Sequence, residues 1–291
     1  MIAFNRNFVF LDEPALSCCV DETVESISVY EYKGKKLSSL FILQSTWVSM
    51  TERKVCYYAN KAFEQNEKID FWALEIENIL TLIWNKDTQT IHYIKYINYS
   101  PKLLQFWILH TFFPLVLELE KNAHILHVSA VEINHKIILF SAFSGGGKST
   151  LLNYFINQGH TIYGDDTIAL KKDGSKYNVI SSYPFHRPYR KAEDLGYKLE
   201  NFGTKIKKLS KVYSLHKVDR EEDVSIRTLC GIEKFKALYQ SDFVMFETMQ
   251  KERYLFATEI AKHVEVYQIS VPWALERLDE VYQAIVTHNN V

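Results

Sequence analysis

Nine consecutive residues, Ala142-Phe-Ser-Gly-Gly-Gly-Lys-Ser-Thr150, carry the clearest chemistry in this chain. They fit the pattern A/G-x-x-x-x-G-K-S/T, with alanine where a glycine is usual at the first position. Successive backbone N–H groups point into one anion-sized hollow only where the chain takes left-handed or bulged conformations, and three glycines in a row permit that. Ser144, Gly145, Gly146 and Gly147 would present those donors, and a helix beginning at Lys148 would add the partial positive charge of its N-terminus. Lys148 would neutralise β- and γ-phosphate oxygens and the Ser149 hydroxyl would complete a Mg2+ shell, with Thr150 the last of the candidate nucleotide-binding residues. A glycine-rich turn that binds nothing has the same composition. The strand before the loop and the helix after it separate the two readings.

Three neighbours bear on what such a loop would do. If Asn134-His135 is a two-residue hairpin, Ile133 faces Lys136, and counting along both strands puts His127 opposite Ala142 at the mouth of the loop. A lone strand histidine is more often a satisfied structural residue, so its catalytic weight comes from that adjacency. Next, Gly164-Asp165-Asp166 follows the strand after the loop's helix, where a parallel neighbour would carry carboxylates to the phosphate end of the sheet. Phosphoryl transfer uses one carboxylate to help hold Mg2+ and another to orient or deprotonate the acceptor hydroxyl. Adjacent strand residues face opposite ways, so both reach one site only if the strand ends or bulges at Gly164. The competing reading is an Asp-Asp turn that caps a hairpin. Third, Tyr183-Pro-Phe-His-Arg-Pro-Tyr-Arg190 sets Arg187 and Arg190 on a proline-bounded loop after the Asp173-Gly174 turn. They would grip phosphate or an acidic substrate, or else sit on a solvated surface loop.

The elements that must position these groups follow from periodicity. Residues 125–133 and 136–141 read as strands, a helix runs from Lys148 through Leu151, Leu152, Phe155 and Ile156 to a stop at Gly159, and another strand starts at Thr161. Strand, glycine loop, helix and strand form a phosphate-binding unit. Upstream, short aromatic and β-branched runs alternate with Lys, Asn and Asp turns, which predicts a β-rich domain over 1–100. Residues 71–80 have spacing that suits a helix or a strand. Tyr99-Ser100-Pro101 marks a boundary, because the residue before proline leaves helical geometry, and 101–291 forms the loop-bearing domain. The apolar stretch 103–117, interrupted by Gln105, His110 and Pro114, predicts a buried helix rather than a membrane span.

Composition narrows the classes. With 47% hydrophobic, 14% aromatic and 24% charged residues the chain is an ordinary globular protein, and a formal charge of -1 supplies no field toward nucleic acid or a membrane surface. The basic run Lys205-Ile-Lys-Lys-Leu-Ser-Lys211 lacks an aromatic platform and is followed by Arg220-Glu-Glu-Asp223, so it is expected to be a solvated or mobile segment near the substrate cleft. Cys18, Cys19, Cys56 and Cys230 form no CxxC pair, and no structural metal site is expected. The chain reaches Asp12-Glu13 before any sustained apolar run, so no secretory signal is expected and a cytoplasmic location follows.

Together, His127-x-Ser129-Ala-Val131, Ser144-Gly-Gly-Gly-Lys-Ser149, Gly159-His160 and Asp165-Asp166 resemble the catalytic domain of bacterial HPr kinase/phosphorylase and its smaller HPr-kinase-like relatives. The resemblance is close over residues 126–170. It is looser at Phe256-Ala257 and at Val264-Glu-Val-Tyr-Gln-Ile-Ser-Val-Pro272 with the Leu275, Leu278 and Val281 helix behind it. It implies an α/β P-loop kinase domain, a mixed sheet with flanking helices, behind the β-rich α+β domain. By the same resemblance ATP is the donor, Asp165 the base at the acceptor hydroxyl with His127 its partner, and Asp166 with Ser149 the Mg2+ ligands. The acceptor would be a Ser or Thr hydroxyl of a peptide or protein. No Arg-Gly-Leu-Gly segment, which the family ties to phosphorolysis, follows Asp166. The chain therefore looks more like the stand-alone relatives without phosphorylase activity, some associated with ribosomally made peptides that include lasso-peptide precursors. The first domain would then recognise a peptide, and homo-oligomerisation stays open.

Other classes share parts of this pattern. A motor ATPase of the ABC type would share Ser144 to Leu152, but no Leu-Ser-Gly-Gly-Gln-like segment and no four apolar residues ending in Asp-Glu follow. A non-catalytic nucleotide-binding regulator has no need of the acidic pair or the histidine. A kinase for a free amino acid or sugar would use the same donor site.

Overall fold

A computed structural model describes residues 1–16, 21, 23–34, 41, 43–60, 71–143, 145–188, 191–243 and 249–290. Ser144, Arg190, Cys18 and Cys19 lie outside that set. The chain divides into Met1–Asn122 with Arg190–Leu195, and Ala123–Tyr189 with Gly196–Val291.

Among the described residues of the first unit nine strands join in one sheet. Phe71–Ile76, whose spacing suits helix or strand, is a strand between Arg53–Ala59 and Leu80–Asn85, with Trp72 facing Trp84. Cross-strand aromatic pairing of this kind is the unit of sheet stabilisation, and it settles what local spacing leaves open. The apolar segment that follows is helical throughout, as Pro101–Phe106, Trp107–Phe112 and Phe113–Leu119. Ser100 caps its start by accepting from the Leu103 N–H. Its middle section is a π-helix, in which Phe113 N–H reaches back to Ile108 O, and this widened turn lies directly before Pro114, which has no N–H to give.

This helix is apolar enough to match a membrane span by length and composition, with a mean hydropathy of 1.3, and 78% of that window is buried. Its covering is aromatic. Phe113 meets Phe8 edge-on at 4.9 Å and Phe4 at 5.9 Å, and Phe112 meets Trp72 at 4.6 Å. These contacts place the helix in the first unit, so the division falls after Asn122 rather than at Ser100-Pro101. Proline geometry marks where a helix begins but not which core takes it. Glu193 accepts from Arg53 Nη2 at 2.6 Å and Trp107 Nε1 at 2.9 Å, which brings Arg190–Leu195 into the same unit.

The second unit is a mixed sheet with helices on both faces. Its strand order is His124–Leu126, Ile168–Asp173, Lys176–Ile180, Lys207–Val218, Lys136–Ser141, Ser129–Ile133, Ile162–Gly164. Lys207–Val218 runs parallel to Lys136–Ser141 and to Glu265–Pro272. Helices Lys148–Asn157 and Leu278–Asn289 cover one face through Phe140, Leu152, Phe155, Ile269 and Ile285. Gly231–Tyr239 and Gln250–His263 cover the other through Leu139, Leu238, Phe256, Ile260 and Val266. Ile137 and Leu139 therefore face one core while Ile138 and Phe140 face the other, which explains the unbroken apolar run of this strand.

The basic run corrects an expectation. Lys207 to Lys211 open the long strand Lys207–Val218 rather than a mobile segment. Lys207 Nζ meets Glu132 Oε1 at 2.5 Å and Lys211 Nζ donates to His288 O, while Leu209, Val212 and Tyr213 between and beyond them pack inward. Long lysine stems cover apolar surface and keep the ammonium at the edge, so a basic run and a core strand coexist.

Candidate functional site

Strand order decides what meets at the site. Asn134 and His135 both take positive φ, 50° and 62°, as a two-residue hairpin requires, and the ladder runs from Ile133↔Lys136 to Ser129↔Phe140 in the expected register. The ladder ends there. His127 stands two residues beyond it, because the chain turns away and His124–Leu126 pairs instead with Ile168–Leu170. His127 is thus not a ladder partner of Ala142, although it lies at the same end of the sheet.

The strand before the acidic pair is also one place further out than expected. Ser129–Ile133 intervenes between it and Lys136–Ser141, and runs antiparallel to both. The consequence is convergence. The carboxyl ends of Lys136–Ser141 and Ile162–Gly164 and the amino end of Ser129–Ile133 lie together, so the glycine loop, Asp165-Asp166 and His127 leave the strands at one end of the sheet.

In the loop, Gly145 and Gly147 have φ of 76° and 89°. Gly147 is the N-cap of the helix that Lys148 opens. A Cβ at Gly146 would stand 2.8 Å from Ala142 Cβ and 2.9 Å from Phe143 O, so only glycine fits. Lys148 is buried and its Nζ donates to Ala142 O at 3.0 Å; Ser149 is half-buried on the first turn and Thr150 is exposed. The far end of the helix closes with Gly159 at φ 82°, where His160 N–H reaches Phe155 O. Left-handed glycines, a position closed to Cβ and a lysine at a helix N-terminus suit an anion such as a nucleotide's phosphates.

The acidic turn depends on an irregularity. Ala130 pairs with Gly164 and Val131 with Ile162, so Tyr163 is an extra residue and the strand bulges just before it ends at Gly164. Asp165 and Asp166 then diverge. Asp165 Oδ2 accepts from Arg187 N–H at 2.8 Å and lies 2.9 Å from His186 Nδ1, both partners buried, while Ser129 Oγ donates to the Asp165 carbonyl at 2.5 Å. Asp165 Oδ1 is buried with no hydrogen-bond partner among the described residues. Asp166 Oδ1 stands 3.3 Å from His127 Nδ1, on a side chain 27% exposed, and its Oδ2 lies 3.9 Å from Arg187 Nη1. His127 thus stands against Asp166, while Phe185–His186 occupies the Asp165 side of the turn. Tyr183 lies beneath; burial, and then the negative charges of Asp166 and Asp165, push its hydroxyl pKa far up and keep it protonated.

Arg187, on the proline-bounded loop, reaches the acidic turn through both its N–H and its guanidinium. Sequence reasoning missed others. The His127 N–H donates to Ser241 O, and Ser241 Oγ bonds Ser141 Oγ at 2.5 Å, so the end of helix Gly231–Tyr239 fastens His127 to the last residue of the loop's strand. His186 and Ser241 lie 21 and 100 residues from their partners, and no local spacing announces such pairs. Beside Phe143, Gly145 and Gly146 opens a cleft of about 690 Å³, with Glu233, Lys236 and Gln240 on its helical wall.

Among the described residues no group of three His, Cys, Asp or Glu side chains could hold a metal by itself. Mg2+ is commonly held by one or two protein groups with phosphate oxygens and water supplying the rest, and Ser149 with a carboxylate of the acidic turn fits that use.

No family model matches the chain, and no curated protein matches it. Among solved structures the chain is similar to the Hpr(Ser) kinase/phosphatase from Coxiella burnetii, at 15% identity and a TM-score of 0.35, over 57% of this chain and 95% of that one.

Proposed function

We propose that the chain is an ATP- and Mg2+-dependent kinase that transfers a γ-phosphoryl group to a serine or threonine hydroxyl of a peptide or protein, without the reverse phosphorolysis. The observation that carries this reading is the meeting of the glycine loop, a two-carboxylate turn and a half-buried histidine at one end of one sheet. A site that only binds nucleotide has no use for the second and third. Amides of the glycine loop would cradle the phosphates, and Lys148 would exchange the Ala142 carbonyl for β- and γ-phosphate oxygens. When bound, Mg2+ neutralises charge on the transferring group; Ser149 and the acidic turn are the residues that would hold it.

The two carboxylates would have separate tasks. Asp166, backed by His127 on the more exposed side, would orient the acceptor hydroxyl and take its proton as the bond to phosphorus forms. Asp165, gripped through Oδ2 by His186 and the Arg187 N–H, would hold the turn in place and is the carboxylate left to join Ser149 at Mg2+.

The test is incubation of the protein with γ-labelled ATP and Mg2+ against host lysate and peptides encoded by neighbouring genes, with mass spectrometry of labelled species. Labelled Ser or Thr in a peptide, reduced on the order of 10²- to 10³-fold or more by Lys148→Ala, supports the reading. Undiminished transfer by Lys148→Ala would sink it, and phosphate release without a labelled acceptor would point to an ATPase or a small-molecule kinase.

A further inference from the structure

Trp273 has no part in the roles above, yet its indole lies against the glycine loop. A Cβ added at Gly147 would be 3.5 Å from its Cζ3 atom. Its position follows from topology. Lys207–Val218 and Glu265–Pro272 run parallel to Lys136–Ser141 and end side by side, with Trp273 N–H donating to Val218 O at 3.1 Å. In α/β sheets ligands bind outside the carboxyl ends of parallel strands. Here those three ends carry the glycine loop, Lys217 and Trp273.

Trp273 is 49% exposed, an unfavourable placement for so large an apolar residue unless something else covers it. Lys217 Nζ stands 4.1 Å from the ring centroid, so a cation covers one face and limits the ring's freedom. A ring held in advance loses less entropy when a second flat group stacks on it.

We propose that Trp273 is the stacking platform for the nucleobase of the bound nucleotide, with Lys217 on one face of the indole and the base on the other. This rests on the reading of Gly145 to Lys148 as a nucleotide cradle. Every base has a π-face, so such a platform distinguishes a nucleotide from bare polyphosphate and discriminates little between adenine and guanine. Donor choice would then reflect cellular abundance more than recognition by this ring.

The experiment is calorimetric titration of the full chain with Mg2+ complexes of ATP, GTP and tripolyphosphate, alongside Trp273→Ala, Trp273→Phe, Lys148→Ala and Lys236→Ala. The expected result is similar affinity for ATP and GTP, both above tripolyphosphate. Trp273→Ala should weaken ATP roughly five- to hundredfold and leave tripolyphosphate unchanged, with Trp273→Phe retaining most of the ATP affinity. Equal weakening of ATP and tripolyphosphate in Trp273→Ala, or no weakening of ATP, overturns the proposal. So does a loss confined to the base-bearing ligands in Lys236→Ala, which would move the base into the cleft lined by that residue. Failure of the cradle reading looks different: tripolyphosphate would fail to bind the unaltered chain, or would bind Lys148→Ala just as well.

Discussion

His127 Nδ1 stands 3.3 Å from Asp166 Oδ1, while Asp165, one residue earlier in the same turn, lies against His186 at 2.9 Å. Neighbouring carboxylates thus belong to two imidazoles, one pair partly open to solvent and the other buried. A turn built this way sets one carboxylate beside a half-buried imidazole and the other inside the protein.

If Asp166 and His127 act as a unit, Asp166→Asn and His127→Gln should each slow phosphoryl transfer on the order of 10²- to 10⁴-fold and leave tripolyphosphate affinity nearly unchanged. The double variant should be no slower than the slower single one, since removing either member already breaks the unit. Single-turnover transfer from labelled ATP reads this directly. Multiplicative losses would show that the two side chains act independently.

Gly146→Ala and Gly145→Ala should part company. The added Cβ at 146 meets Ala142 Cβ and a backbone oxygen within 3 Å, whereas at 145 it meets nothing within 4 Å and costs only the strain of a positive φ, about 1 kcal/mol. Titration with tripolyphosphate should show binding abolished in the first and weakened less than about tenfold in the second.

The buried Asp165–His186 pair makes a stability prediction. His186→Ala leaves a buried carboxylate with only the Arg187 N–H and should cost about 3 kcal/mol, read as a lower guanidinium midpoint. Asp165→Asn should cost less, because an amide oxygen still accepts from the Arg187 N–H. A reversed order would mean that the carboxylate charge, not its hydrogen bonds, is what the turn requires.

Alkali should loosen the second unit. Burial first, then the negative charge of Glu132 or Glu259, pushes the Tyr163 and Tyr177 hydroxyls up to about 12. A raised folded-state pKa favours the neutral form, so this stability is fully present below the ordinary tyrosine value near pH 10 and is lost as the pH climbs toward 12. Melting temperature should hold up to about pH 10 and then fall, and tyrosinate absorbance should show a late-titrating class that joins the rest on unfolding. Uniform titration of all 18 tyrosines near pH 10 would contradict the burial.

Legibility in the sequence tracks the distance over which each feature is decided. Asn134-His135 set the hairpin and its whole register because two residues with positive φ at a two-residue turn leave one pairing for the strands on either side. Gly159 ended its helix and Gly174 turned its hairpin for the same local reason. The strand before the acidic pair bulges and stops at Gly164, as the sequence allows, but its two carboxylates diverge to separate partners. Residues 71–80 are undecidable alone, because helical and extended spacing coincide there until Trp84 stands across from Trp72.

By itself, then, the sequence determined the glycine loop, its helix, the hairpin behind it and the mixed α/β character of the second unit, all of which follow from backbone freedom and hydrophobic period within a few residues. Only the tertiary structure decided which aspartate faces His127, that His186 grips the other, that Ser241 ties His127 to Ser141, and that Trp273 lies against Gly147. These partners are tens to over a hundred residues apart. Their meeting is set by the order in which strands enter the sheet, and strand order is chosen by the burial of two whole faces rather than by any local pattern.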